Sequence, residues 1–227
     1  MIAYFIKGGP LLIVIAGLSV VAGTLAILQW LRLMQISSKG NHELHHFIPS
    51  IEAQDWDRAS EIIERHPHIL LMPWKTGFQL LAEGKSDLRD IEELVTLEGA
   101  RIIADLESPL KPLGAITTVL PMLGFLGTIV GLILSFHHWE QMGSQVSIQE
   151  LAGGIYQAMI TTAAGLATAI PYFLLYHYFT ARIQRFSLEL SLTTTQIFRL
   201  VKNALLREIS FEAEPASKTT HDPTTCF

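Results

Sequence analysis

The sequence predicts an all-α, polytopic membrane protein with three transmembrane helices and a helical cytosolic domain. Hydrophobic residues make up 49% of its 227 residues and charged residues only 16%. The hydrophobic residues gather in three segments that contain no Asp, Glu, Lys or Arg, at residues 10–31, 113–136 and 151–179. Roughly 20 apolar residues in a helix cross the hydrocarbon core of a bilayer, so each segment is long enough to span it. The chain has no β-strand pattern and no internal repeat.

The positions of Lys and Arg predict the orientation of these spans. Nine lie between residues 32 and 112, six follow residue 179, and none lies between residues 137 and 150. Cytosolic segments next to spans carry an excess of Lys and Arg. We therefore expect residues 1–9 and 137–150 outside the cytosol, and the long connection and the carboxyl end in the cytosol. Residues 10–31 are expected to be a retained anchor, because the apolar run is longer than that of a cleaved signal.

The long cytosolic connection, residues 32–112, is predicted to be helical. An apolar run at helical intervals ends at Pro67 and comprises Ile51, Trp56, Ala59, Ile62 and Ile63. Ser86 is expected to cap an amphipathic helix that leads toward the second span and is interrupted by Pro109 and Pro112. Its apolar positions recur at short helical steps: Leu88, Ile91, Leu94, Val95, Leu97, Ile102, Ile103 and Leu106.

A helical period also continues after the third span, through residues 180–211. Its apolar positions are Ile183, Phe186, Leu190, Ile197, Leu200, Val201 and Leu205. Residues 212–227 are rich in Glu, Pro, Ser and Thr and poor in apolar side chains, which predicts a disordered tail.

The second and third spans each carry a stripe of small or weakly polar residues at steps of four and three. The stripe of the second span consists of Thr117, Pro121, Gly124, Thr128, Gly131 and Ser135. The stripe of the third span consists of Gly154, Ala158, Thr161, Gly165, Thr168 and Tyr172. Bulky side chains such as Leu126, Ile133, Met159 and Ile170 take the other sides of the two helices. Each helix is therefore expected to have one packed face and one lipid-facing side.

Two interpretations of the stripes are open. Small residues let membrane helices approach closely, so the stripes could serve helix packing alone. Alternatively, they could face a shared axial pore in an oligomer. In that case Thr128, Thr161, Thr162 and Gln157 would be its hydrogen-bonding groups. Both interpretations can hold for different residues of one stripe.

The spans contain no Asp, Glu, Lys or Arg, and His177 is assigned to the membrane interface at the end of the third. Proton relays in membranes use ionisable side chains, so a proton machine built on this chain needs a carboxylate from a partner. Among the other histidines, His137 and His138 are interpreted as exposed residues at the outer mouth. The cluster of His42, His45 and His46 lacks a matching carboxylate or cysteine, so no metal site or cofactor is predicted.

No enzymatic activity and no nucleic-acid partner is predicted. The sequence lacks a Gly-rich phosphate loop, a Gly-x-Ser-x-Gly nucleophile motif and a His-Glu-x-x-His metal motif. An intramembrane protease would need an Asp pair or a Ser–His pair in the spans, and neither is found there.

The spans and their spacing resemble the MotA/TolQ/ExbB proton-channel family. The segments that carry the resemblance are LPMLGFLGTIVGLILSF and LAGGIYQAMITTAAGLATAIPYFLLYHYF. Three spans with an external amino end resemble the TolQ/ExbB branch, since the MotA branch has four. Where many members read GIAEAL, this chain reads GIYQAM, so Gln157 stands in place of a glutamate. Glutamine keeps the size and the hydrogen bonding but cannot titrate.

The resemblance implies a homopentamer in the bacterial inner membrane, with the second and third spans of each subunit around a central pore. It also implies a single-span partner of the ExbD/TolR type, whose membrane Asp carries the proton, and a periplasm-spanning protein of the TonB/TolA type. Thr128 and Thr162 match the pore threonines of the family. Pro171 matches the proline that follows the small-residue run.

The function expected from these features is that of a subunit of a proton-driven motor complex. It would couple the proton gradient to mechanical work or to transport across the cell envelope. The alternative is a non-conducting oligomeric scaffold, in which the small residues Pro121, Gly124, Gly131, Gly154, Ala158, Gly165 and Pro171 only pack helices.

The predicted orientation is tested by cysteine labelling. A cysteine placed between residues 137 and 150 should react with a membrane-impermeant thiol reagent added to the periplasmic side. A cysteine at Gln79 should react only after the membrane is opened, because the segment between the first two spans is expected in the cytosol. The reverse pattern of labelling would overturn the orientation.

Overall fold

The computed structural model describes residues 9–36, 48–65, 69–84, 87–142 and 148–212. Six longer helices and a short helical turn at residues 48–52 are found within these ranges. The helices are α1 (Gly9–Ile36), α2 (Trp56–Arg65), α3 (Trp74–Glu83), α4 (Leu88–Glu107), α5 (Leu110–Met142) and α6 (Ile148–Glu212). No strand is present in the described ranges, and the prediction of an all-α chain is confirmed.

Several predictions from the sequence concern residues outside the described ranges. They are the amino end before Gly9, the histidines between residues 37 and 47, the cap at Ser86, part of the loop between the second and third spans, and the tail after Glu212.

Three helical stretches are long and apolar enough to cross a membrane, as predicted: Pro10–Met34, Leu88–Gln141 and Ile148–Leu206. The second contains α4 and α5, which are separated at Ser108 and Pro109. Proline at position 109 has no N–H to continue the α4 ladder. Pro112, by contrast, lies in the first turn of α5, where backbone N–H groups have no intrahelical acceptor and proline is tolerated.

The chain divides into two compact units, and the first consists of Met1–Gln35 and Ala104–Gln184. Its core forms where α1 meets α5 and α6, around the buried side chains of Ile15, Leu120 and Ala169. The Tyr172 hydroxyl donates a hydrogen bond to the Ser19 carbonyl oxygen at 2.9 Å. A Cβ added to Gly23 would lie 3.1 Å from the same hydroxyl oxygen, so the glycine makes room for the tyrosine.

Gln29 gives the first unit a buried polar contact near the end of α1. Its side chain is fully buried, and its Nε2 donates to the Leu106 carbonyl oxygen at 3.0 Å. Its Oε1 finds no hydrogen-bond partner among the described residues. Leu106 lies one residue before the end of α4, where backbone carbonyls lose their intrahelical donors. Gln29 therefore ties the first span to the joint between α4 and α5.

The second unit, Ile36–Ile103 and Arg185–Phe227, has its own hydrophobic core. Trp74 and Phe78 stack at its centre with ring centroids 5.3 Å apart. The remaining buried members are Ile51, Ala59, Ile63, Leu71, Ile91, Val95, Ile197 and Val201. Helix α3 ends at Gly84, whose φ of 63° is the left-handed conformation that glycine adopts without strain.

Two local features of the second unit differ from the sequence prediction. Gln54 has a φ of 55°, which ends the turn that contains Ile51. The Asp55 carboxylate then accepts a hydrogen bond from the Arg58 backbone N–H at 3.1 Å and starts α2, so the predicted apolar run is divided. Leu97 was expected on the apolar face of α4, but 68% of it is exposed. It lies two residues after Val95, on the opposite side of the helix.

The core of the second unit is tested by Phe78→Ala. Removing a buried aromatic side chain should lower the free energy of unfolding by about 3–5 kcal/mol. Limited proteolysis of the full chain in membranes should then cleave between α3 and α4 much faster than in the unchanged protein. Gln79→Ala, at an exposed neighbouring position, is the control and should leave the rate unchanged.

Candidate functional site

The candidate site is the contact between α5 and α6, where two backbones touch. A Cβ added to Gly165 would lie 2.8 Å from the Leu120 carbonyl oxygen and 3.0 Å from the Gly124 Cα. A Cβ added to Gly124 would lie 3.2 Å from the Thr162 Cα. No side chain fits between helices at these distances, so glycine at both positions permits the contact.

The close packing continues along both helices. A Cβ on Gly131 would lie 2.7 Å from the Ala158 Cβ, and one on Gly154 would meet the Ser135 hydroxyl. The two predicted stripes therefore lie against each other within one chain.

Gly127 also belongs to this contact, and a Cβ added there would lie 2.9 Å from the Thr161 Cβ. The stripe assigned from the sequence omits this residue. Gly127 lies three residues after Gly124 and four before Gly131, so the same spacing could have found it.

Thr162 provides the polar link between the two helices. Its hydroxyl donates to the Gly124 carbonyl oxygen on α5 at 2.7 Å. The other threonine that matches the pore pattern, Thr128, is half-buried, and its hydroxyl donates to the Phe125 carbonyl oxygen of its own helix at 2.6 Å. Thr161 is buried, with 2% of its surface exposed, and its hydroxyl donates to the Gln157 carbonyl oxygen at 3.2 Å.

The direction of these hydrogen bonds determines what Thr128 and Thr162 can offer to another molecule. A hydroxyl has one proton to donate and two lone pairs that accept. Since both protons are directed to backbone carbonyls, each hydroxyl oxygen retains accepting capacity. The two threonines can therefore receive a hydrogen bond from a protonated carboxyl group or from water.

Three predicted site residues lie outside the closest contacts of α5 and α6. The Gln157 side chain is exposed and lies next to buried Ala158. Pro121 is half-buried within α5, and Pro171 is exposed within α6. Both helices continue through their prolines, although each proline lacks the N–H that would bond to the carbonyl four residues earlier.

The histidines of the described ranges form no metal site. No group of three or more His, Cys, Asp or Glu side chains that could hold a metal ion occurs in this part of the chain. His137 and His138 are exposed at the end of α5. His177 packs edge-on against Phe173, with ring centroids 4.4 Å apart.

Comparison with known proteins adds a family match over residues 68–191, described as the MotA/TolQ/ExbB proton channel family. Three relatives share parts of the sequence. A putative biopolymer transport protein ExbB homolog of Methanothermobacter thermautotrophicus is 35% identical over 102 residues, which is 44% of this chain and 33% of the relative.

A putative biopolymer transport protein ExbB-like 1 of Synechocystis is 30% identical over 182 residues, which is 73% of this chain and 65% of the relative. The Tol-Pal system protein TolQ of Pseudomonas aeruginosa is 36% identical over 77 residues, which is 34% of this chain and 33% of the relative. The aligned parts therefore span less than two thirds of each of these relatives.

The glycine contact is tested by Gly165→Ala. The added methyl group would lie 2.8 Å from a backbone oxygen, so α5 and α6 must separate and lose their packing. We expect the thermal midpoint of the detergent-solubilised protein to fall by several degrees. Gly17→Ala is the control, because a Cβ at Gly17 meets nothing within 4 Å. Equal midpoints for both variants would contradict the close contact.

Proposed function

The chain belongs to the MotA/TolQ/ExbB proton channel family, and we propose on this basis that it is a subunit of a proton-driven motor complex in the inner membrane. It is a membrane protein, and relatives named ExbB and TolQ assign it to the TolQ/ExbB branch. The proposed complex couples the proton gradient to mechanical work or to transport across the cell envelope. In this proposal, the amino end of the chain faces the periplasm and its carboxyl end faces the cytosol.

The observation that carries the proposal is the pair of threonines beside the glycine contact. Thr128 and Thr162 each direct the hydroxyl proton to a backbone carbonyl and keep oxygen lone pairs available. The three predicted spans contain no Asp, Glu, Lys or Arg. A proton path along this chain therefore needs an ionisable group from another protein. The ionisable group in this proposal is the membrane Asp of a single-span partner of the ExbD/TolR type.

The directions of the threonine hydrogen bonds determine which protonation state of the partner's carboxyl group the threonines can bind. A protonated carboxyl group donates one hydrogen bond, and a threonine oxygen with a free lone pair accepts it. An ionised carboxylate only accepts hydrogen bonds. It therefore finds no donor here unless a threonine hydroxyl rotates away from the backbone carbonyl to which it donates. The threonines as oriented therefore favour the neutral form of the carboxyl group. A neutral carboxyl group is also the form that costs least in hydrocarbon.

The remaining surface of α5 and α6 fits an oligomer in lipid. Large apolar side chains are exposed on both helices, among them Met122, Ile133, Met159 and Ile170 at 58–64%. The exposed Gln157 amide can donate and accept hydrogen bonds without changing charge. We propose that five copies surround the partner, with Gln157 as a polar, non-titrating group of the path. A periplasm-spanning protein of the TonB/TolA type is the proposed load.

A non-conducting scaffold is the second candidate. It is favoured by the closed contact of α5 and α6, in which Thr161 and the small residues Gly124, Ala158 and Gly165 are buried within one chain. In that case the stripes would serve packing only, and Thr128 and Thr162 would have no role in proton movement.

The two candidates are separated by Thr128→Val and Thr162→Val. Valine has a shape similar to threonine but neither donates nor accepts. Each variant should assemble with the partner, as measured by native mass spectrometry, but lose most proton uptake into proteoliposomes under a membrane potential. Thr→Ser at either position should retain part of the uptake, since the hydroxyl is kept.

Thr24→Val is the matched control, because the Thr24 hydroxyl also donates to a carbonyl of its own helix, at 2.9 Å to Val20, but lies on α1. It should leave proton uptake unchanged. Full uptake by both Val variants at Thr128 and Thr162 would exclude the threonine path and favour the scaffold.

A further inference from the structure

Three large leucines of the second unit are exposed beyond the predicted spans. Leu97 on α4 is 68% exposed, and Leu188 and Leu192 on α6 are 61% and 56% exposed. Charged residues flank all three, including Glu98, Arg101, Arg185 and Glu189, so these helix faces are not lipid-facing. Leu188 and Leu192 lie one helical turn apart, and neighbouring apolar side chains that are exposed outside the membrane mark a surface that binds another protein.

The exposed side of α4 carries a shallow, largely open groove of about 490 Å³ between the side chains of this one helix. It is lined by Arg89, Glu92, Glu93, Thr96, Leu97 and Ala100. Its floor toward Leu97 and Ala100 is apolar. Its other end carries the carboxylates of Glu92 and Glu93, with the guanidinium of Arg89 one turn before them, so two negative charges face one positive charge there. An occupant that fits would present an apolar side chain followed by a basic one.

The exposed side of α6 has that sequence of side chains. Its outward residues follow steps of four, three, four and three, which is the spacing of a helix that packs against another helix. They are Leu188, Leu192, Thr195, Arg199 and Lys202, all exposed. Neither Arg199 nor Lys202 forms an ion pair with any described residue, and the same holds for Glu92 and Glu93.

Contacts within the second unit show which residues of the groove on α4 and of this strip on α6 lie at the same level along the two helix axes. A Cβ on Gly99 would lie 3.6 Å from the Leu190 side chain, and Ile91 and Val95 share a core with Ile197 and Val201. The two helices therefore run antiparallel, so that positions later in α4 match positions earlier in α6. Leu97 is level with Leu192 to within about one helical turn, and Glu93 is level with Arg199 to the same precision.

We propose that the groove on α4 binds the Leu188–Arg199 strip on α6 of a second copy of this chain. Copies inserted in one bilayer by the same spans hold each residue at the same height. Leu97 of one copy then meets Leu192 of the next, and the carboxylate of Glu93 meets the guanidinium of Arg199. The contact joins two different surfaces, so it can repeat around a ring. It rests on the homo-oligomer of the proposed function and on no other part of it.

Disulfide cross-linking in membranes tests this contact. Cys226, the only cysteine, is first changed to Ser. Leu97→Cys combined with Leu192→Cys should then give a ladder of cross-linked subunits on mild oxidation, because a disulfide needs Cβ atoms about 3.5–4.5 Å apart. Either cysteine alone should give no ladder. Met72→Cys with Leu192→Cys is the control, since Met72 is 49% exposed on another part of the same unit, and it should give none.

A charge exchange provides a second readout. Glu93→Arg should lower the yield of the ladder several-fold by placing two cations together. Adding Arg199→Glu should restore it, which a merely misfolded variant would not do.

Native mass spectrometry of the same samples separates this proposal from the proposed function. An oligomer without the ladder would overturn the α4–α6 contact, and its groove would then have another occupant, while the motor subunit would stand. A monomer in membranes would overturn both.

Discussion

The contact of two glycine backbones, Gly124 on α5 and Gly165 on α6, is the constraint on which the membrane part of this chain depends. Water drives apolar surfaces together outside the membrane, but in lipid the hydrocarbon tails solvate Leu and Ile equally well on every side. Helices there gain stability from close packing and from hydrogen bonds between them. The glycines provide the first, and the bond from the Thr162 hydroxyl to the Gly124 carbonyl provides the second. The hydroxyl proposed for the proton path and the packing contact therefore lie at one place.

The same rule explains how the first span joins the pair. Leucines and isoleucines of α1 form only part of the contact, around Ile15. Two hydrogen bonds fix the orientation of α1. The Tyr172 hydroxyl donates to the Ser19 carbonyl beside Gly23, and the Gln29 amide donates to the Leu106 carbonyl at the end of α4. A glutamine amide that is fully buried costs free energy unless it is bonded. Gln29 recovers part of that cost at a carbonyl that the helix end leaves without a donor.

The sequence predicted the all-α class, the three spans and the residues of both stripes because each rests on a period within one helix. It could not decide which neighbour a stripe would meet, since periodicity identifies a face and not its partner. Gly127 was omitted because it lies beside the stripe that was counted, although its spacing from Gly124 and Gly131 is helical. Leu97 was assigned to the core because short apolar steps on a helix include positions on both sides of it. Gln54, with its left-handed backbone, divided a run that apolar spacing alone joined.

Gln157 lies on a face of α6 that is different from the face packed against α5. Small residues of α6 at 154, 158, 161 and 165 are used within the chain, so they are not available to a partner. The face beside them contains Gln157, which is exposed and stays uncharged at every pH. A titratable side chain there would compete for protons with the partner's carboxyl group. With glutamine, the only ionisable group in the proposed path is the one that the partner brings, and the threonines act on its protonation without carrying charge. In the proposed complex, this chain supplies orientation and hydrogen bonding, and the partner supplies the proton carrier.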